Sequence, residues 1–492
     1  LQKELTVKRS AIVLAWVVAC GLMLSCVSMA MAQEANPPAT EPAKPAAPAK
    51  VTPDGAAQTA GADWFQFLGP NRNGVSEGPK LSASWGPSGP PVVWKTDCQV
   101  GFSGPMVKDG MVVIMERGPK PEGKLKVAST DDVGTNAVPK LPGETVRVLN
   151  AKNGVELWRS NTFPCEAMDP DSYYWGSCAT PAGVKDRVVC QFLDGNVRCF
   201  ELKTGKLLWT RDLNAEFGMT KKGYHPPYQA CSSPLVAGEQ VVFMVCTGKI
   251  GLLSLSVADG QEVWHTPPFD NYGSSTGFTK MGDTNVVIAV SCKANSKLFG
   301  DGSVLGFNAL NGKLLWCGNA GNNGYNAPEP IANEGILVVE GGGGDGPTVA
   351  FSLPAAGDSK ALELWKDNDH LARFSNYLVY RGLVFGEGYT AHGSKAGTRL
   401  FCDEARSGKN LWFDRVNERH HSLIGSDGKV FQLHENGELA VFDASVSDGY
   451  KELARARVVQ QKKGVWSFPA LVNGRLYVRT DSEVVCLDLT AK

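Results

Sequence analysis

The chain has 492 residues, with 49 Lys and Arg against 50 Asp and Glu for a formal net charge of −1, and it is 43% hydrophobic and 20% charged. That balance offers no basic excess for a phosphate backbone, so nucleic acid is excluded as the expected partner. The apolar content excludes a chain disordered throughout, and 55 glycines point to many short strands joined by tight turns.

In chain order, Lys3, Lys8 and Arg9 precede an apolar run from Ala11 to Leu24 and the small-residue triplet Ala30-Met31-Ala32. That succession predicts a signal peptide over residues 1–32, and with it a secreted or periplasmic protein. A membrane anchor is the alternative, but the run is shorter than the ~20 residues a span needs. Cys26 also suits lipid attachment, so a lipid-anchored form is a variant of the same expectation. Removing the +2 carried by Lys3, Lys8, Arg9 and Glu4 leaves a mature chain near −3. Residues 33–62 are a Pro- and Ala-rich linker with Pro37, Pro38, Pro42, Pro45, Pro48 and Pro53, predicted to be an extended, disordered tether. No later stretch is long and apolar enough to span a bilayer.

Residues 63–492 form the folded part. It starts with Trp64-Phe65-Gln66-Phe67-Leu68-Gly69-Pro70-Asn71-Arg72-Asn73-Gly74, followed by the strand-like Pro91-Val92-Val93-Trp94-Lys95. The stretch Glu116 to Glu144 is longer than a turn requires. From Val148 a unit repeats: strand, tight turn with Gly, then a strand bearing Trp four residues after that Gly. It ends at Trp158, Trp209, Trp264 and Trp316, with weaker copies at Trp365 and Trp412, and the Trp spacings are 51, 55, 52, 49 and 47 residues. Such a period is one four-stranded propeller blade. A Trp-less seventh unit runs through Lys429–Leu433, Leu439–Asp443 and Leu453. An eighth begins at Trp466 and stops after Leu489, one strand short. The strand holding Trp94 can supply it and remove the open sheet edges. The fold expected is all-β: an eight-bladed β-propeller of four-stranded antiparallel blades closed by an N-terminal strand, with seven blades as the alternative. The tryptophans read as glue between blades, each burying roughly 150–250 Å².

Lys203-Thr204-Gly205-Lys206-Leu207-Leu208-Trp209 and its copies resemble the Trp-docking repeat of pyrroloquinoline-quinone (PQQ) dehydrogenases, shared with the non-enzymatic BamB propellers of outer-membrane assembly. The resemblance implies the propeller fold from Trp64 onward. For function it implies either a binding scaffold or a PQQ-dependent dehydrogenase acting on an alcohol or sugar, with calcium beside the quinone. The adjacent Cys-Cys pair typical of quinone-dependent alcohol dehydrogenases is missing, since no two of the 13 cysteines are adjacent. No run of carboxylates stands out as a calcium site. Eleven cysteines follow the signal; those in strand-like runs, including Cys190, Cys199, Cys246, Cys292 and Cys486, read as buried thiols, with one or two disulfides allowed.

Propellers take ligands where the segments leading into the innermost strands converge. Tyr174, Trp175, Tyr228, Tyr325, Arg373, Tyr377, His421 and Trp466 are the candidate rim residues. They would suit a sugar, quinone or peptide; the bland alternative has the aromatics plugging the channel and Arg373 paired with a carboxylate. His420 and His421 are neighbours on a strand and point to opposite faces, which argues against one shared metal. Gly341-Gly342-Gly343-Gly344-Asp345-Gly346 lacks the residues of a phosphate loop and reads as a hairpin tip. No catalytic triad or metal motif emerges. The expected function is therefore a non-catalytic extracytoplasmic scaffold binding a protein, polymer or small molecule on the channel face.

Overall fold

The computed structural model describes residues 63–118, 143–165, 176–219, 231–271, 274–291, 303–321, 328–341, 347–368, 375–389, 398–416, 420–445, 449–460 and 464–490. The segments expected to be a signal peptide and a linker, and most of the Glu116–Glu144 stretch, lie outside them. Among these residues, eight four-stranded antiparallel sheets follow one another. Blade 1 is β2 (Met106–Lys108), β3 (Met111–Arg117), β4 (Glu144–Asn150) and β5 (Glu156–Arg159). The first strands of neighbouring blades approach one another round a ring, and that of the last blade meets β2.

Burial follows from this stacking. Inner and middle strands lie between two neighbouring sheets, so both faces are covered: Met111-Val112-Val113-Ile114-Met115-Glu116-Arg117 is buried at every position. Outer strands are edges. Glu156-Leu157-Trp158-Arg159 and Leu207–Asp212 are mostly exposed, and their tryptophans are their anchors.

Each of the eight outer strands carries a bulge at the same place, as between Cys199 and Phe200 in blade 2. The bulge re-aims the Trp sideways onto the turn of the following blade. The indole N–H of Trp158 donates to Leu202 O at 2.8 Å, that of Trp209 to Val257 O at 2.9 Å and that of Trp365 to Ala405 O at 2.9 Å. The Gly of the receiving turn lies flat against the ring: a Cβ on Gly205 would stand 2.6 Å from Trp158, and one on Gly260 2.7 Å from Trp209. The Asn-Gly and Thr-Gly signals of the sequence thus serve the Trp as well as the turn.

Two tryptophans depart. Blade 5 connects its last two strands through Ser352–Leu362 without a tight Gly turn, and Trp316 instead folds over its own blade, where a Cβ on Gly306 would lie 2.0 Å away. Trp412 meets Tyr450 and Phe442 edge-on, with ring centroids 5.6 and 6.1 Å apart.

Closure is as the sequence predicts. β1 (Val92–Asp97) pairs antiparallel with β32 (Glu483–Asp488), Trp94 opposite Cys486 and Asp97 opposite Glu483. The Trp94 indole docks on blade 1 through Ala151 O at 2.9 Å. The Trp-less seventh unit is a complete sheet ending in Glu452–Arg457, so the count is eight and not seven.

Candidate functional site at the channel

The segment Trp64–Ser76 lies across the propeller axis. Trp64 exchanges backbone hydrogen bonds with Val107 of blade 1 at 2.8 and 2.9 Å, and Gly183 N of blade 2 donates to Phe65 O. Val236 N of blade 3 donates to Gln66 Oε1 at 2.8 Å. Asn73 reaches Asn333 of blade 5, Gly425 N of blade 7 donates to Gly74 O, and Ser76 Oγ donates to Leu471 O of blade 8. Gly74 also abuts Asn376 and Leu378 of blade 6. A stretch this short can reach inner strands all round the ring only from the centre.

Arg72 is the centre of this plug. Its guanidinium donates to Thr276 O at 2.8 Å, Pro234 O at 3.0 Å and Ser233 O at 3.3 Å, in the segments leading into blades 4 and 3. Burial lowers its pKa to about 10, which leaves it charged at neutral pH, and Glu329 opposes the shift. Glu329 leads into blade 5 and keeps part of its surface. Desolvation pushes its carboxyl up to about 7 against bonds from its own and Ser275 backbone, the charge of Arg72 and the Ser275 side chain. The backbone carbonyls that hold Arg72 have no side-chain signature, and for that reason the sequence reading missed both groups.

On the face carrying the lead-in segments, His420 and Trp466 meet across the blade 7–8 boundary with ring centroids 4.0 Å apart and planes tilted by 41°. Both are half-buried. Of the candidate rim residues, Trp466 is the one found half-buried against His420. His421 does not stand on the rim: it is buried, with Nδ1 3.3 Å from Glu387 Oε2, in contact with Gln432, and with its ring 4.3 Å from that of His434. Strand alternation sends one of the two histidines inward, and it is His421. Burial holds its pKa well below the ordinary histidine value, so it is neutral. Tyr377 is likewise inside, its hydroxyl 2.7 Å from Thr348 Oγ1 between blades 5 and 6. Tyr174, Trp175, Tyr228, Tyr325 and Arg373 lie outside the described residues, as does most of the Gly341–Gly346 tip.

Calcium beside a quinone needs six to eight oxygen ligands. Among the described residues no group of three His, Cys, Asp or Glu converges to hold a metal. The axial cation, Arg72, is already committed to three carbonyls.

The family described as outer membrane protein assembly factor BamB matches residues 142–365. BamB of Legionella pneumophila (strain Paris) is 30% identical over 89 residues, which are 18% of this chain and 22% of that protein. The chain thus spans about a fifth of that relative's length in the match. Among solved structures, a quinohemoprotein alcohol dehydrogenase from Pseudomonas putida HK5 is 14% identical with a TM-score of 0.55, covering 88% of this chain and 81% of that one. The quinohemoprotein alcohol dehydrogenase of Comamonas testosteroni is 14% identical with a TM-score of 0.57, covering 87% and 81%. At such identities the likeness is one of fold. With the docked Gly-x-x-x-Trp units, the eight blades and the match over residues 142–365, this chain is an eight-bladed β-propeller whose repeats are similar to those of the PQQ-like family.

Proposed function

We propose that the chain is a non-catalytic extracytoplasmic scaffold that binds a partner on the face formed by the segments leading into the blades, around His420 and Trp466. The observation that carries this reading is the plug. The chain's own Trp64–Ser76 occupies the axis, and Arg72 is tied to three backbone carbonyls. What remains for a partner is the ring of lead-in segments on a rigid scaffold, where binding residues concentrate. The match to the BamB family supports a binding role. A protein segment is the partner that an aromatic and imidazole surface of this kind suits. No helix of the described residues is long and apolar enough to cross a membrane.

Two experiments test the reading. Residues 33–492, immobilised, should capture a partner whose retention drops at least tenfold on Trp466→Ala combined with Arg373→Ala; unchanged retention would count against the proposed face. Titration with pyrroloquinoline quinone and calcium should give neither saturable heat nor dye reduction. Saturable binding with turnover would replace the scaffold by a PQQ-dependent dehydrogenase acting on an alcohol or sugar.

A further inference from the structure

Beyond partner binding, we propose that Cys178 and Cys231 form a reversible disulfide site that bridges the segments leading into blades 2 and 3. The geometry starts from the backbone. Thr180 N donates to Ser233 Oγ at 3.0 Å. Cys178 stands two residues before Thr180 and Cys231 two before Ser233, so the same register sets the two cysteines opposite each other. The corresponding position in blades 7 and 8 holds His420 and Trp466, four residues ahead of the last three residues of the first strand in each case, and there the side chains touch across the boundary. Cys178 and Cys231 pack on one small cluster with Cys165 and Leu193, and the Cys178 and Cys231 thiols are hydrogen-bond neighbours. Both are thiols in the structure.

Access separates the pair from the third cysteine. Cys178 and Cys231 are half-buried, whereas Cys165 is only 4% exposed. The carboxyl of Glu144 is near, accepting from Ser177 Oγ at 2.7 Å and from Leu193 N at 2.7 Å. The hydrogen bond with the Cys178 thiol, burial and, least, the charge of Glu144 push the Cys231 thiol well above its ordinary pKa, so exchange favours alkaline conditions.

The reaction partner is a disulfide donor, either oxidised glutathione or an oxidised dithiol protein. One thiolate attacks the donor's S–S bond, forming a mixed disulfide and releasing the first donor thiolate. The second cysteine then displaces the remaining donor sulfur. An S–S bond joins Cys178 to Cys231, two protons leave, and the two electrons end on the donor as two thiols.

The test uses residues 33–492 treated with oxidised glutathione, with or without a reducing rinse, and read by intact mass and by mapping after trypsin with Glu-C. Cleavage after Glu166 separates Cys165 from Cys178, and cleavage after Glu239 separates Cys231 from Cys246. The expected result is loss of two hydrogens, reversed by reductant, with a cross-linked fragment joining the Cys178 and Cys231 peptides. The melting temperature of the oxidised chain should rise by about 4 °C, because the bridge closes a loop of 53 residues. Cys178→Ser and Cys231→Ser should abolish the loss of two hydrogens and take up glutathione instead, while Cys165→Ser keeps it. A map joining either residue to Cys165, or no loss of two hydrogens in the unsubstituted chain, would overturn the site. The measurement is made on the isolated chain, so failure of the partner reading leaves it standing, and its own failure does not touch that reading.

Discussion

Arg72 shows how one buried side chain can hold several blades. Its three donors satisfy carbonyls that would otherwise face the axis without partners. Arg72→Ala strands those carbonyls, each orphaned group costing about 1–3 kcal/mol. Chemical denaturation should therefore register a loss of about 3 kcal/mol or more, and Arg72→Lys, with its single point of donation, should recover only part of it. Glu144 makes the opposite kind of contribution. It is 1% exposed, and desolvation raises its carboxyl to about 7 from an ordinary 4.5 against hydrogen bonds from Ser177 and Leu193. The folded chain therefore holds a proton there that the unfolded chain releases, so stability falls as pH rises from about 4.5 to 7 and stays low above it, by about 3 kcal/mol in all. Glu144→Gln should flatten that fall: equal to the parent near pH 4, more stable than it at pH 8. Urea unfolding at the two pH values checks the sign. Neither residue was legible in the sequence. An Arg in an opener and a Glu opening a strand are ordinary until the fold supplies their surroundings.

The strands and their turns, by contrast, were legible. The Gly-x-x-x-Trp spacing fixed the period, and Trp and Gly have those positions because one lies flat on the other across a blade boundary. Trp264 is typical: its N–H meets Ala309 O and Gln240 Oε1, both at 3.1 Å, and its ring lies against Gly312. Trp264→Ala should cost about 3–5 kcal/mol, and Trp264→Phe about 1 kcal/mol from the lost hydrogen bond, read as shifts in denaturation midpoint at constant slope. Repeats gave the wrong expectation where a copy kept its Trp but the next blade lost its turn. Trp316 belongs to the pattern by spacing alone, and its indole folds over Gly306 of its own sheet. Histidine pairs show the same limit: alternation along the strand separates His420 from His421, yet only the fold says which of them faces the mouth.

For the whole molecule, the missing eighth outer strand was visible as an arithmetic deficit, and Trp94 marked the segment that fills it. The place of Trp64–Ser76 was not visible, because nearly all its hydrogen bonds end on backbone atoms of the blades. These two N-terminal segments make separable contributions. A chain starting at residue 63 should melt like one starting at residue 33. One starting at residue 78 keeps β1 and loses the plug, and should melt at least 5 °C lower but still cooperatively. One starting at residue 99 leaves β32 as an open edge, and should aggregate or unfold without a single transition; calorimetry with light scattering distinguishes the three.

The pairing of β1 with β32 also has a temporal meaning. A ribosome delivers β1 before any strand of the other blades and β32 after all of them, so the early strand waits without a mate while the rest of the propeller is made. Only a chain translated to its final blade can seal, and a product cut short even by one strand keeps a sticky edge that proteases and chaperones can recognise. The clasp thus ties the sealing of the ring to the arrival of its last blade.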